Sequence, residues 1–242
     1  FTIVPDVIDP EEIARLVPQL QSFIDSDLGH ADPRRLKDEW RVFNPHLRSP
    51  DFLDLITRPS VMAHVESILG DTCILYACIS SSMPPGGPNY SARVHVDSPR
   101  IIPGYPTNVG VILCLDDFTA ENGATSIIPG SFEELERPSD RDFEARAEVI
   151  FPTAGSLVVF NGRTWHSGGI NRTHRPRHAV TANYCRSYMR QYFDFPRMIP
   201  PEEAEALTES QRRILGFHVR MPTSLEEYYV DEADRLSRAG QG

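Results

Sequence analysis

From residue 72 onwards, the hydrophobic pattern changes from helical spacing to alternation along short runs, which turn signals such as Pro129-Gly130 and Asn161-Gly162 separate. About eight short strands at this spacing predict a mainly β chain with flanking helices, folded as a jelly roll or closed barrel that leaves few exposed edges. Two longer inserts, 98–106 and 131–146, are predicted to wall a pocket. The predicted strands cover residues 73–82, 91–97, 107–115, 124–129, 147–151, 156–160, 163–167 and 177–186.

Two helices are predicted before the strands. Asp9-Pro10-Glu11-Glu12 combines an N-cap, a proline at the first helical position and acidic residues in the first turn. Helical spacing of apolar residues continues to about Asp27, although Pro18 is expected to kink or interrupt this helix. A second helix is predicted over 59–69, with Gly70 as its C-terminal stop.

After Phe195 the pattern becomes helical again. Pro200-Pro201-Glu202-Glu203 predicts a helix start, and 224–238 reads as a charged, weakly amphipathic tail. No repeat, low-complexity tract or linker interrupts the chain. We therefore expect a single domain over 1–242, whose parts are a helical flank (1–70), a jelly-roll core (72–187) and a helical C-terminal extension (196–242).

The composition excludes several classes of partner. The chain has 24 Lys and Arg against 34 Asp and Glu, and its net charge of −10 argues against non-specific binding to nucleic acid or to an anionic membrane. No apolar stretch reaches 18 residues, and Phe1–Pro10 lacks a signal-peptide pattern. The four cysteines show no CxxC spacing and are predicted to be reduced and buried, which suits a cytoplasmic protein that binds a small molecule.

His95 and Asp97 stand two residues apart at the end of an alternating run. This spacing can place an imidazole and a carboxylate on the same side of a strand, which would form half of a metal site. The pair alone is not specific, because Asp97-Ser98-Pro99 is equally compatible with a surface turn capped by the aspartate.

His166 is the candidate third ligand. It follows the Asn161-Gly162 hairpin signal on the returning strand, where it could also be a core histidine beside Trp165. Two imidazoles and one carboxylate on one face form the facial triad of non-heme iron(II) oxygenases, with open positions for a co-substrate and dioxygen.

Arg177 follows at the start of an apolar strand, where a buried charge is costly without a partner. An incoming dicarboxylate would supply that partner through a bidentate pair with the guanidinium. The alternative is a solvated basic turn, which is our interpretation of Arg172 and Arg175.

Taken together, these motifs resemble the phytanoyl-CoA dioxygenase (PhyH-like) branch of the iron(II)/2-oxoglutarate dioxygenases. The resemblance rests on His95-Val96-Asp97, the Asn-Gly-Ala-Thr-Ser-Ile-Ile-Pro-Gly-Ser motif of 122–131, His166 and Arg177. It extends from about residue 1 to residue 220.

The resemblance implies a double-stranded β-helix (a jelly roll or cupin-like barrel) and a set of site residues. His95, Asp97 and His166 would bind Fe(II), and Arg177 would bind the distal carboxylate of 2-oxoglutarate. Thr125 matches a position that hydrogen-bonds the co-substrate in related natural-product enzymes. Arg93 stands where many relatives carry a glutamine near 2-oxoglutarate, which makes it a candidate co-substrate contact.

The implied reaction consumes O2 and 2-oxoglutarate, releases succinate and CO2, and hydroxylates, desaturates or cyclises a small molecule. Halogenating relatives replace the carboxylate at the position of Asp97, so its presence favours oxygenation. The expected substrate is a natural-product intermediate or an amino-acid-like metabolite. Candidate substrate contacts, each of which could instead be a structural residue, are Arg100, Tyr105, Trp165 and Tyr184.

Two departures from the family pattern weigh against a phytanoyl-CoA thioester as substrate. Met83 stands where the phytanoyl-CoA enzymes carry a lysine, and Gly168 replaces a serine. Two other functions remain open at this point. One is a cupin-like isomerase or hydrolase that uses zinc or manganese, and this function would not explain the presence of Arg177. The other is a non-catalytic ligand-binding barrel.

Overall fold

The computed structural model describes residues 1–30, 32–238 and 240. Its strands form two antiparallel sheets. The larger sheet contains β1 (Thr2–Val4), β2 (Ile74–Ser80), β3 (Asn108–Cys114), β6 (Leu157–Asn161) and β8 (Ala179–Cys185), in the order β1-β6-β3-β8-β2. The smaller sheet contains β4 (Ser126–Ile127), β5 (Glu148–Val149) and β7 (His166–Ser167), in the order β5-β4-β7.

The helices are α1 (Pro10–Asp27), α2 (Pro50–Thr57), α3 (Pro59–Leu69), α4 (Asp140–Arg146), α5 (Phe195–Met198), α6 (Pro201–Glu205), α7 (Glu209–Ile214) and α8 (Leu225–Tyr228). They lie before β2 or after β8 in the sequence, except α4, which lies between β4 and β5. The predicted helix over 59–69 is confirmed, and the first predicted helix is also confirmed but runs through Pro18 without interruption. The tail over 224–238 is mostly non-helical, since it contains only α8 and one short 3-10 turn.

Strand alternation gives the larger sheet two different faces. Val109, Val111 and Leu113 of β3 pack in one hydrophobic cluster with residues of α1, α2 and α3. The intervening Ile112 packs with Phe160 and with Ile127 of the smaller sheet in a second cluster. Because successive side chains of a strand point to opposite faces, the helices cover one face of this sheet and the smaller sheet packs near the other.

The prediction of a β-sheet core with flanking helices is confirmed. The described residues form two separate sheets and no closed barrel, so the jelly-roll topology stays a prediction, as does the assignment of all residues to one domain. In the described part of the chain, no helix is both long and apolar enough to cross a membrane.

Two local expectations were wrong. Residues 91–97 form no regular strand, because Tyr90–Ala92 is a 3-10 turn capped by Asn89 and only His95 pairs, through an isolated bridge to His166. Asn161-Gly162 does not join a hairpin, since β6 and β7 belong to different sheets. The short strand β1 and the helix α2 were not predicted.

Tyr184 lies in the interface between the larger sheet and the helices. Its side chain is fully buried in the helix-side cluster, and its hydroxyl donates a hydrogen bond to the carbonyl oxygen of Ile56 in α2. Tyr184 therefore joins the sheet to the helical layer.

Tyr184→Phe is expected to lower the free energy of unfolding by about 1–3 kcal/mol, because it leaves a buried carbonyl without its donor while keeping the ring. Urea denaturation measures this change. The matched control is Tyr229→Phe, since the Tyr229 side chain is exposed. Equal stability of both variants would contradict the structural role of the Tyr184 hydroxyl.

Candidate metal centre

His95, Asp97 and His166 converge in the structure. Each offers one potential ligand atom, and these three atoms lie within 4.8 Å of one another. Oδ1 of Asp97 is 3.7 Å from Nε2 of His95 and 3.8 Å from Nε2 of His166. Both distances allow one ion, at bond lengths of about 2.0–2.2 Å, to contact the carboxylate and either imidazole.

Backbone pairing brings the two histidines together. The amide of His95 donates to the carbonyl of His166 at 2.9 Å, and the amide of His166 donates back at 3.0 Å. The two imidazole rings consequently lie side by side, with centroids 4.2 Å apart. Asp97 is held on the same side because its amide donates to the carbonyl of Gly162 at 2.8 Å.

Hydrogen bonds also determine which ring nitrogen of each histidine is available. Nδ1 of His95 is 2.7 Å from the carbonyl oxygen of Arg93, and Nδ1 of His166 is 2.9 Å from that of Thr164. A carbonyl only accepts, so each Nδ1 carries the proton and each Nε2 presents a lone pair to the centre. Burial, together with the neighbouring His166, lowers the pKa of His95 to about 4, which keeps its imidazole neutral at pH 7.

Asn183 orients the carboxylate. Its Nδ2 donates to Oδ2 of Asp97 at 3.2 Å, and its own Oδ1 accepts a hydrogen bond from Nδ2 of Asn108 at 2.9 Å. Oδ1 of Asp97 is thereby directed to the two histidines. The sequence prediction missed Asn183, although the signal was present: Thr181 and Asn183 are polar residues of one parity on an otherwise apolar strand.

The three residues line a cavity of 390 Å³. Thr125 and Arg93, the two predicted co-substrate contacts, line the same cavity. The other lining residues are Asp38, Arg41, Phe43, Tyr76, Ala77, Ile79, Ser80, Ser81, Tyr90, Ser91, Val96, Ile112, Phe160, Gly168, Thr181, Asn183 and Tyr192.

Arg177 is not a lining residue of this cavity, but it hydrogen-bonds to Ser81, which is one. Its side chain is 1% exposed, and its terminal nitrogens donate to the carbonyls of Ser81 at 3.3 Å and Gly123 at 3.0 Å. The guanidinium carbon is 3.9 Å from the centroid of the Phe118 ring, and Nε has no hydrogen-bond partner.

No carboxylate of the described residues forms an ion pair with Arg177. Burial lowers the pKa of its guanidinium to about 10, so the group still carries its charge at pH 7. Asp116 offsets part of the cost of burying this cation through its electrostatic interaction with Arg177, and a ligand carboxylate in direct contact would offset more.

Met83 and Gly168, the two residues that differ from the pattern of the phytanoyl-CoA enzymes, pack against each other. A Cβ atom on Gly168 would lie 2.4 Å from Cε of Met83 and 2.8 Å from Oγ of Ser91. Met83 is completely buried, and its backbone pairs with Arg177. The absence of a side chain at 168 therefore makes room for the methionine.

Arg100 and Tyr105 do not reach the 390 Å³ cavity. They line a second cavity of 180 Å³, together with Phe132 and Arg163. The physical reason is that Arg186 holds this insert outside the larger sheet, since its guanidinium lies 4.1 Å from the Tyr105 ring centroid and Nε donates to the carbonyl of Pro106.

Trp165 and Tyr184 lie on the faces that point away from the larger cavity. Trp165 packs with Ile128 and Phe143, one residue out of phase with His166, and Tyr184 is likewise out of phase with Asn183. Neither insert walls the cavity, contrary to expectation. Its outer wall comes from residues 38–43, 90–97 and Tyr192 instead.

Two imidazoles and a carboxylate facing a cavity on a β scaffold are the ligand set of non-heme iron oxygenases. Comparison with known proteins agrees with that class. The family described as phytanoyl-CoA dioxygenase (PhyH) matches residues 1–179. The protein Rv1501 of Mycobacterium tuberculosis is 30% identical over 250 residues, which cover 100% of this chain and 92% of Rv1501.

Two solved structures share the fold. One is SnoN, a non-heme alpha-ketoglutarate-dependent epimerase from nogalamycin biosynthesis, with a TM-score of 0.59 and 22% identity over 76% of this chain and 75% of SnoN. The other is HygX from Streptomyces hygroscopicus with nickel and 2-oxoglutarate bound, with a TM-score of 0.60 and 15% identity over 79% of this chain and 84% of HygX.

The chain belongs to the phytanoyl-CoA dioxygenase (PhyH) family, which confirms the resemblance seen in its motifs. Membership in this family makes the protein an enzyme of the oxygenase type.

Asn183→Ala is expected to weaken the affinity for a divalent metal about tenfold or more, because it frees the Asp97 carboxylate to rotate away from the two histidines. Electron paramagnetic resonance titration with Mn(II) measures this affinity. Thr181→Val is the matched control, since Thr181 lies on the same strand and lines the same cavity. An unchanged affinity in Asn183→Ala would contradict the positioning role.

Proposed function

We propose that this protein is an Fe(II)- and 2-oxoglutarate-dependent oxygenase. It would hydroxylate, desaturate or cyclise a small natural-product or amino-acid-like metabolite and release succinate and CO2. The observation that carries the proposal is the triad of His95, Asp97 and His166 facing a cavity whose lining residue Ser81 accepts a hydrogen bond from Arg177, a buried cation with which no described carboxylate forms an ion pair. The fold proposed for this site is the double-stranded β-helix.

The three side chains fit iron. Two imidazoles and one carboxylate leave other coordination positions open, and the hydrogen bonds from Nδ1 orient both rings with Nε2 toward the centre. Bound Fe(II) would supply the redox chemistry with 2-oxoglutarate and O2, and the protein would supply binding and orientation. HygX, solved with nickel and 2-oxoglutarate bound, supports this pairing of a metal with the co-substrate.

Arg177 would bind the distal carboxylate of 2-oxoglutarate. Its unpaired Nε and its buried charge are the features that a carboxylate would satisfy. Thr125 lines the cavity, and its hydroxyl would donate a hydrogen bond to the same molecule. A zinc or manganese isomerase would use the triad but would leave the charge of Arg177 without a counterpart.

Apolar side chains of the larger sheet would exclude water from the reacting groups. Phe160 and Ile112 line the cavity, and the Phe160 ring lies 5.0 Å from the imidazole of His166. Gly110 allows this placement, because a Cβ atom there would lie 2.3 Å from Cζ of Phe160. A dry, shaped wall orients a small substrate and prevents side reactions.

The substrate class rests on two observations. SnoN acts in nogalamycin biosynthesis, and its fold is shared by this chain. The buried pair of Met83 and Gly168 replaces the lysine and serine of the phytanoyl-CoA enzymes, which weighs against a CoA thioester.

The four cysteines are free and buried, which supports the cytoplasm as the proposed location.

The native protein with Fe(II), O2 and 2-oxoglutarate is expected to form succinate, and His166→Ala is expected to lose at least about 100-fold of this activity, because one of three metal ligands is removed. Mass spectrometry of succinate measures it, with and without candidate metabolites. His174→Ala, which removes a histidine from an exposed turn, is the matched control. If the native protein forms no succinate under any of these conditions, the proposal is contradicted.

Arg177→Met is expected to raise the apparent KM for 2-oxoglutarate about tenfold or more while metal affinity is retained, since it removes a charge-assisted hydrogen bond to the distal carboxylate. Initial rates at varied 2-oxoglutarate measure the effect, and circular dichroism checks the fold. Arg172→Met at an exposed site is the control. An unchanged KM in a folded variant would remove Arg177 from the co-substrate site.

A further inference from the structure

The outer part of the 390 Å³ cavity carries a cluster of positive charge. Arg41 and Arg93 both lie against the ring of Tyr90, with guanidinium carbons 5.2 Å and 4.3 Å from its centroid. All three residues line the cavity that contains the triad. The cluster is unexpected in a chain whose net charge is −10.

Asp38, the acidic residue next to this cluster, pairs with Arg41 and not with Arg93. The distance from Asp38 to Arg41 is 2.7 Å, and no carboxylate of the described residues forms an ion pair with Arg93. Two like charges that share one aromatic ring repel each other, and Arg93 contributes to lowering the pKa of Arg41, after the larger effect of burial. An anion bound between them would relieve this repulsion.

2-Oxoglutarate does not account for this cluster under the proposed function. One end of the co-substrate is assigned to the metal, and its distal carboxylate is assigned to Arg177, whose guanidinium contacts Ser81, Gly123 and Phe118 and is separate from the Tyr90 cluster. The guanidinium of Arg93 lies over the Tyr90 ring, and its N–H groups remain at its edge. Because this cation–π contact already restricts the Arg93 side chain, binding a carboxylate or phosphate costs little further side-chain freedom.

We propose that Arg93, together with Arg41, recognises an anionic group, a carboxylate or a phosphate, on the primary substrate. The inference rests on the proposed function for the identity of the reaction and adds the class of substrate. Arg93 is then a specificity-determining residue for the substrate, in place of the co-substrate contact that the family pattern implied.

The test observes the side-chain Nε–H signals of arginine by nuclear magnetic resonance in protein loaded with Zn(II) and saturated with 2-oxoglutarate. The probes are two anions, 3-phenylpropanoate and phenyl phosphate, and their neutral counterparts, 3-phenylpropanamide and phenol. We expect at least one anion to shift the Arg93 signal, which is assigned by its loss in Arg93→Gln, while the neutral counterparts do not. The anion that binds more tightly distinguishes a carboxylate from a phosphate substrate.

Arg93→Gln is expected to weaken binding of that anion about tenfold or more, measured as Kd from ligand-detected spectra, whereas Arg93→Lys, which keeps the charge, should retain part of the affinity. Arg141→Gln, at an exposed position of α4, is the matched control and should change nothing. A shift that is equal for anions and neutral probes, or no shift with either anion, would overturn the inference.

Competition with 2-oxoglutarate separates this inference from the proposed function. If 2-oxoglutarate displaces the anion and Arg93→Gln raises the Kd of 2-oxoglutarate, Arg93 serves the co-substrate, and the inference fails while the oxygenase proposal stands. If the anion binds through Arg93 but the native protein forms no succinate, the oxygenase proposal fails while the anion site stands.

Discussion

The reciprocal backbone hydrogen bonds between His95 and His166 are the interaction on which the site depends. They join a segment with almost no regular structure of its own to β7 of the smaller sheet. Because side chains opposite each other in an antiparallel pair lie on the same face, this one bridge places both imidazoles toward the cavity. Asp97 follows two residues later on the same face and completes the set of three ligand atoms.

The rest of the fold stabilises that arrangement from both sides. The larger sheet presents Asn183 to the Asp97 carboxylate and the Phe160 ring to His166, while its other face is covered by α1, α2 and α3. Arg177 lies two residues before β8, the strand that contains Asn183. The position of this one strand therefore sets the positions of both the buried cation and the residue that supports Asp97. The candidate metal ligands, the residue that supports the Asp97 carboxylate and the buried cation are therefore all positioned by the pairing of a few strands.

The sequence predicted which residues come together at the candidate site. The pair of His95 and Asp97 was not specific by itself, and it became so only in combination with His166, Arg177 and the motif of 122–131. Arg177 was recognisable because a charge at the start of an apolar strand needs a partner. The substrate contacts were harder to predict. Trp165 and Tyr184 were chosen for their size. Once His166 was assigned to the cavity, however, the alternation of side chains along a strand would have placed Trp165 on the opposite face. In the same way, the polar residues Thr181 and Asn183 marked the face of β8 that points to the cavity. The cluster of Arg41, Tyr90 and Arg93 could not be predicted, since it joins two irregular segments distant in sequence.

The proposed site holds Fe(II) in the triad and 2-oxoglutarate on that metal, with Arg177 at the far carboxylate. Visible absorption spectroscopy without oxygen is the decisive measurement, because chelation of 2-oxoglutarate to Fe(II) gives a metal-to-ligand charge-transfer band. We expect this band in the native protein with Fe(II) and 2-oxoglutarate, its loss in Asp97→Ala, and a higher 2-oxoglutarate concentration for half-maximal intensity in Arg177→Met. Native protein that binds Fe(II) but gives no such band at saturating 2-oxoglutarate would contradict the proposed site.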